Sequence, residues 1–138
     1  MTTAKDLMTS DVTCVRTSDA VIEAAKTMAR LGVGSLPIRG EDDQLKGMIT
    51  DRDIVVKVLA EGKDPMALHA GDLAQGEVVT VDVGDDAAAV LRTMSAYGVR
   101  RVPVLDGGRL VGIIAQADIA RALPEPAVGD LVSAISIE

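Results

Sequence analysis

The sequence predicts an α+β fold of α/β type, in which two pseudo-symmetric β-α-β-β-α repeats pack as one module. Two observations carry that prediction. The first is duplication: shifted by 66 positions, residues 6–38 lie over 72–104, and after a one-residue gap in a polar turn residues 45–58 lie over 110–123. Of these 47 aligned pairs 15 are identical, including Asp6/Asp72, Leu7/Leu73, Val12/Val78, Asp19/Asp85, Met28/Met94, Gly32/Gly98, Pro37/Pro103, Gly47/Gly112 and Asp53/Asp118. A long fixed offset marks a repeated structural unit. The second is the apolar pattern, which runs through the same order of periods in each copy.

Each copy opens on a short strand, "VTCV" in the first and "VVTV" in the second. A helix follows, opening near Ser18 or Asp85. Its apolar face is Val21, Ala24, Ala25, Met28 and Leu31 in the first copy and Ala87, Val90, Leu91, Met94 and Tyr97 in the second, at the spacing of a helix with one buried side. Gly32 and Gly98 then stop the helices, since glycine accepts the left-handed cap conformation without steric cost. Next come a strand ("SLPI", "RVPV"), a polar turn ("GEDDQ", "DGGR"), a third strand ("LKGMI", "LVGII") and a closing helix from Asp51 or Gln116. This order implies a sheet with helices on one side. A copy of about 60 residues buries only a modest share of its surface alone, so the two copies should pack together. The tail "PAVGDLVSAIS" spaces Val128, Leu131, Val132 and Ile135 like one amphipathic helix, and has no counterpart between the copies.

Composition removes several function classes. Apolar residues make up 48% of the 138, which argues against disorder, and no uncharged apolar run reaches the roughly 18 residues of a membrane span. The opening "MTTAKDLMTS" lacks the apolar core of a secretory signal, so the expected compartment is the cytoplasm. A net charge of −7 argues against nucleic-acid backbones, which require a basic stripe. With no Phe, no Trp and only Tyr97, base-stacking platforms are missing, and a planar ligand would lie between aliphatic side chains. The single cysteine, Cys14, excludes an internal disulfide and a cysteine-cluster metal site. It reads as a small buried hydrophobe in a strand, with redox sensing or an intermolecular disulfide as the other roles. His69, the only histidine, falls in "DPMALHAGD", which reads as a solvated linker. One isolated histidine assembles neither a Ser-His-Asp set nor a His-based metal site, and no GxxxxGK[ST] loop occurs, so no enzymatic activity and no metal are expected.

The order of elements, the "LPI" and "VPV" strands, and the phrases "GMITDRDI" (residues 47–54) and "GIIAQADI" (residues 112–119) resemble a tandem pair of CBS domains. The resemblance covers nearly the whole chain. It implies a first CBS repeat over 6–62, a second over 72–123, and a helical tail over 124–138. More narrowly, "MTTAKDLM" with "VTCV" and "LPI" resembles stand-alone members of that family associated with hypoxic stress, a pattern that would put a second cysteine where this chain has Arg39.

The resemblance implies an adenosine nucleotide in the cleft between the copies, as a regulatory ligand and not a required cofactor. One site would use Met48, Thr50, Arg52 and Asp53, with Val79, Val99, Arg100 and Arg101 opposite. The mirror site would use Ala115 and Asp118, with Thr13, Val33 and Gly34 opposite. The side-chain chemistry fits. A carboxylate such as Asp53 accepts hydrogen bonds from both hydroxyls of a ribose. Thr50 offers a hydroxyl beside a helix start, where free N–H groups attract anions. Arg100 and Arg101 add forked donors suited to phosphate. Blander roles remain open: Asp53 and Asp118 as first-turn charges favoured by the helix dipole, the arginines as surface or dimer ion pairs, and Gly47 and Gly112 as points of close packing. Copy two lacks the hydroxyl and the arginine, carrying Ala115 and Ala117 instead, so the first site is the better furnished.

The expected function is therefore a non-catalytic regulatory module that binds AMP, ADP, ATP or a similar ligand and signals to a protein partner, as a homodimer and without nucleic acid or membrane. The alternative is a ligand-free dimeric interaction scaffold in a stress or hypoxia response.

Overall fold

The computed structural model of the chain describes residues 2–74 and 78–122, so the tail expected at 124–138 lies outside the described residues. The elements are α1 (Ala4–Leu7), β1 (Val15–Arg16), α2 (Val21–Leu31), β2 (Ser35–Arg39), β3 (Leu45–Thr50) and α3 (Asp51–Asp53), which runs into a π-helix at Ile54–Leu59. A 3-10 turn at Ala70–Leu73 leads to β4 (Val81–Asp82), α4 (Ala87–Tyr97), β5 (Arg101–Asp106), β6 (Arg109–Ala115) and α5 (Gln116–Ala122). The fold is α+β, with two three-stranded sheets in the orders β1-β2-β3 and β4-β5-β6. In each, the first pair is parallel and the second antiparallel. No described helix is long and apolar enough to cross a membrane.

The duplication is visible in irregularities as well as elements. Both hairpins shift register at equivalent points, between Ile38 and Arg39 and between Val104 and Leu105. Both long helices end on a left-handed glycine, Gly32 at φ 68° and Gly98 at φ 61°, and the next N–H, from Val33 or Val99, returns to the carbonyl of Met28 or Met94. That closure satisfies carbonyls that the helix end would otherwise strand.

The first strand of each copy is shorter and later than "VTCV" and "VVTV" suggest: only Val15–Arg16 and Val81–Asp82 are in the ladder. Proline explains the difference. Arg39 turns its carbonyl toward β1, accepting the Thr17 N–H at 3.0 Å, and backbone alternation turns Pro37 the same way. Pro37 has no N–H to give, so the ladder stops before Cys14. Pro103 stands at the same point in the second copy.

The described residues form two compact units, one within 13–78 and the other within 1–12 and 79–122. The lead-in to each repeat therefore packs with the other copy. Val21 N–H, at the start of α2, donates to Leu68 O at 2.9 Å, and Ile22 N–H to Pro65 O at 3.0 Å. Equivalently, Ala87 N–H at the start of α4 donates to Thr2 O at 2.9 Å. The segment around His69, read as a linker, instead satisfies the open end of α2. Close approach explains two repeated glycines. A Cβ on Gly47 would lie 2.9 Å from Ala74 Cβ, and one on Gly112 would lie 3.0 Å from Met8 Cβ. Met8 and Ala74 are themselves an aligned pair of lead-in residues.

Each unit has its own core. Val15, Val21, Ala24, Met28, Leu36, Ile38, Ile49, Ile54 and Val58 form one, and Leu7, Val81, Val90, Met94, Val102, Val104, Ile114 and Ile119 anchor the other. The helix faces depart from expectation at one equivalent position: Leu31 and Tyr97, in the last turns of α2 and α4, are 43% and 64% exposed. On the π-helix, Val55, Val56 and Leu59 are exposed too.

Candidate functional site

The phrases "GMITDRDI" and "GIIAQADI" both form a strand that ends directly in a helical turn, β3 into α3 and β6 into α5. In the first copy Thr50 is extended, at φ −117° and ψ 160°, and caps the turn. Its hydroxyl accepts the Asp53 N–H at 3.0 Å, and Asp53 Oδ2 accepts the Thr50 N–H at 3.0 Å. This reciprocal pair is the capping box that a Thr-x-x-acid spacing permits. It fixes the carboxylate through one oxygen. The other, Oδ1, lies 3.2 Å from Lys57 Nζ, with the Asp53 side chain 20% exposed.

In the second copy the N–H of Ala115 donates to Asp118 Oδ2 at 2.7 Å, but no hydroxyl completes the box. Asp118 is the one buried charged side chain among the described residues, and its Oδ1 accepts from Arg121 Nη2. The cations at Lys57 and Arg121 were missed in reading the sequence. Their signal was present as Asp-to-cation spacings of i,i+4 and i,i+3, which put the two groups on one helix face.

The other repeated aspartates do similar local work. Asp6, Asp72, Asp19 and Asp85 each accept the backbone N–H three residues earlier, at 2.8–2.9 Å. For Asp6, that bond from Thr3 and a second from its hydroxyl hold the carboxyl below the ordinary aspartate value. Turn closure thus accounts for one oxygen of every repeated aspartate, Asp53 and Asp118 included. What sets this last pair apart is the second oxygen, held beside a strand end.

The remaining candidates divide between the two units. In the unit of 13–78, Gly34 borders the first phrase: its carbonyl accepts the Asp51 N–H at 2.9 Å, and a Cβ on it would meet Asp51 Oδ2 at 3.0 Å. Met48 is half-buried and pairs with Pro37, Val33 packs on the core, and Arg52 and Thr13 are exposed. In the other unit the Arg100 carbonyl accepts the Gln116 N–H at 3.0 Å, and Arg101 pairs with Ala115 across β5 and β6. Val79 and Val99 pack partly against that core. The structure thus groups Gly34 with Thr50 and Asp53, and Arg100 and Arg101 with Ala115 and Asp118.

Cys14 is half-buried and stands just outside β1. Burial pushes its thiol above the ordinary value, and the Arg39 and Arg16 charges oppose that rise. Arg39 Nε is buried without a hydrogen-bond partner among the described residues. The His69 side chain is 56% exposed, with Nδ1 3.8 Å from Asp72 Oδ2. Among the described residues, no three His, Cys, Asp or Glu side chains gather as metal ligands would.

Comparison with known proteins matches the same two copies. Hypoxic response protein 1 of Mycobacterium tuberculosis (strain ATCC 25618 / H37Rv) is 49% identical over 135 residues, spanning 98% of this chain and 94% of that protein. The crystal structure of Hypoxic Response Protein I, solved with two coordinated zinc ions, superposes with a TM-score of 0.83 at 49% identity, covering 89% of this chain and 100% of that one. CBSX2 in complex with AMP shares the fold at a TM-score of 0.76 and 24% identity, covering 88% of this chain and 96% of that one. The family model described as "CBS domain" matches residues 4–60 and again 70–125. With both strand-to-helix turns inside those matches, the chain belongs to the CBS domain family, as a tandem pair.

Proposed function

We propose that the chain is a non-catalytic regulatory module that binds an adenosine nucleotide between its two CBS repeats and passes the bound state to a protein partner. The observation that carries this reading is the Asp53 turn. Its carboxylate is oriented through Oδ2, while the partner of Oδ1 among the described residues is the Lys57 ammonium, a point charge on a flexible stem. Thr50 sits beside it with a hydroxyl proton to donate. A ribose diol supplies the two donors such a carboxylate accepts, and the Arg100 and Arg101 guanidinium groups of the other unit carry charge suited to phosphate. Binding across two copies would favour one arrangement of them, which a partner could read.

AMP is the first ligand to try, since it is the one held by CBSX2. Calorimetric titration with AMP, ADP, ATP and S-adenosylmethionine tests the reading; no heat of binding with any of them overturns it.

We further propose that the module is a homodimer. The exposed Leu31, Val55, Val56, Leu59 and Tyr97 favour it, because large apolar side chains left uncovered mark interaction surfaces. Sedimentation at tens of micromolar, roughly where weak dimers still form, should show a dimer, and a strict monomer refutes it. The same exposed side chains favour the second reading, a ligand-free dimeric scaffold in a stress response, which stands if the dimer forms and no adenylate binds.

A further inference from the structure

The two copies hold their equivalent aspartates differently. Asp53 is 20% exposed and meets an ammonium; Asp118 is 9% exposed and meets a guanidinium. The duplication register puts Val56 at the position of Arg121 and Lys57 at that of Ala122, so each copy has placed its cation on a different step of the helix.

The chemistry of the two cations differs in a way that matters to a ligand. An ammonium is a point charge on a flexible stem, and its attraction survives when a ligand takes the oxygen and the stem moves off. A guanidinium is a planar fork whose N–H is aimed along the carboxylate lone pair. Arg121 donates from Nη2 to Asp118 Oδ1, while Ala115 N–H fills Oδ2. Both oxygens are therefore engaged. The Arg121 side chain is itself 71% exposed over a carboxylate that is 9% exposed, so it stands on the solvent side of the acid.

We propose that Arg121 is a built-in competitor that closes the Asp118 half-site, so that each chain holds one nucleotide, at the Asp53 half-site. This rests on the nucleotide-binding reading above and adds to it the stoichiometry and the residue that sets it. Ribose hydroxyls and guanidinium N–H groups are donors of the same kind competing for one acceptor. A neutral diol gains less there than the charged donor it displaces. The loss of a charge-assisted hydrogen bond weakens the second site by about tenfold or more. Ala115, in place of Thr50, removes the hydroxyl that would offset part of that loss.

The test is calorimetric titration of the full chain with AMP, using wild type, Arg121→Val (the residue copy one carries), Arg121→Gln, and Arg121→Val combined with Asp118→Asn. The wild type should bind one AMP per chain. Arg121→Val should bind two, and the added event should vanish in the double variant. Arg121→Gln reads the same way, through a weaker neutral donor, should the valine variant not fold. Two AMP per wild-type chain, or a single unchanged event in both Arg121 variants, overturns the proposal. Should wild type bind none while Arg121→Val binds one AMP that the double variant loses, the Asp53 reading fails and the Arg121 lock stands. No binding by any of the four proteins overturns both.

Discussion

Replacing Asp53 by alanine removes two things, and a second substitution separates them. The alanine variant loses the acceptor of the Thr50 N–H bond at 3.0 Å, about 0.5–1.5 kcal/mol for an ordinary hydrogen bond. It also loses the i,i+4 pair with a Lys57 that is 42% exposed, about 0.3–0.5 kcal/mol in solvent. Folding should therefore weaken by about 1–2 kcal/mol, which leaves a domain of ordinary stability folded. Asp53→Asn keeps a neutral acceptor for Thr50 and should cost under about 1 kcal/mol. Both variants remove the charge proposed to receive the ribose diol, which on that reading should cost about 2–3 kcal/mol of binding, or roughly 30- to 150-fold in affinity. Urea unfolding and AMP calorimetry on the same preparations separate the two effects. If Asp53→Asn is as stable as wild type yet loses AMP affinity, the carboxylate acts on the ligand. If both variants bind AMP like wild type, Asp53 only closes a helical turn and the nucleotide reading of this residue is wrong.

Three further outcomes are expected. Gly47→Ala should lose about 1–3 kcal/mol in urea unfolding, because its Cβ would meet Ala74 Cβ at 2.9 Å and Cα at 3.3 Å, and backbone cannot rotate away. Gly84→Ala, whose Cβ among the described residues meets only Asp82 Oδ2 at 3.4 Å, is the control, and equal losses at the two positions refute the close-packing account. Because burial pushes the Cys14 thiol up, the folded protein should react more slowly with iodoacetamide than the unfolded chain near pH 8. The raised value also means that Cys14 contributes its stability fully below the thiol's ordinary pKa and loses it as pH rises through the folded value; equal alkylation rates in both states would contradict this. Cys14→Ser should cost about 1 kcal/mol. Arg100→Ala should weaken ADP and ATP more than adenosine if its guanidinium meets phosphate as proposed; an equal loss for all three would make it a packing residue.

The sequence by itself determined much of what rests on near neighbours along the chain. The two copies, the order of their elements, the stops at Gly32 and Gly98, and the helix starts at Asp51 and Gln116 follow from periodicity, capping spacing and glycine's conformational freedom, all of which act within a few residues. The Thr50–Asp53 capping box has a readable three-residue spacing too, but it was the structure that revealed it. Tertiary structure decided what depends on distant partners. The exchange of lead-ins is made by main-chain bonds such as Val21 N–H to Leu68 O, and backbone groups carry no side-chain signature to read. The two lead-ins also share Asp6/Asp72 and Leu7/Leu73, so composition cannot say which copy each will join. The first strands came out short because a proline on the neighbouring strand withholds a donor. Leu31 and Tyr97 kept their helical period but not their burial, since exposure depends on what covers the last turn of a helix. Asp53 and Asp118 look alike as letters. Only in three dimensions does one carboxylate meet an ammonium while the other, more deeply buried, takes a guanidinium hydrogen bond, because burial and the aim of a hydrogen bond are set by the packed fold.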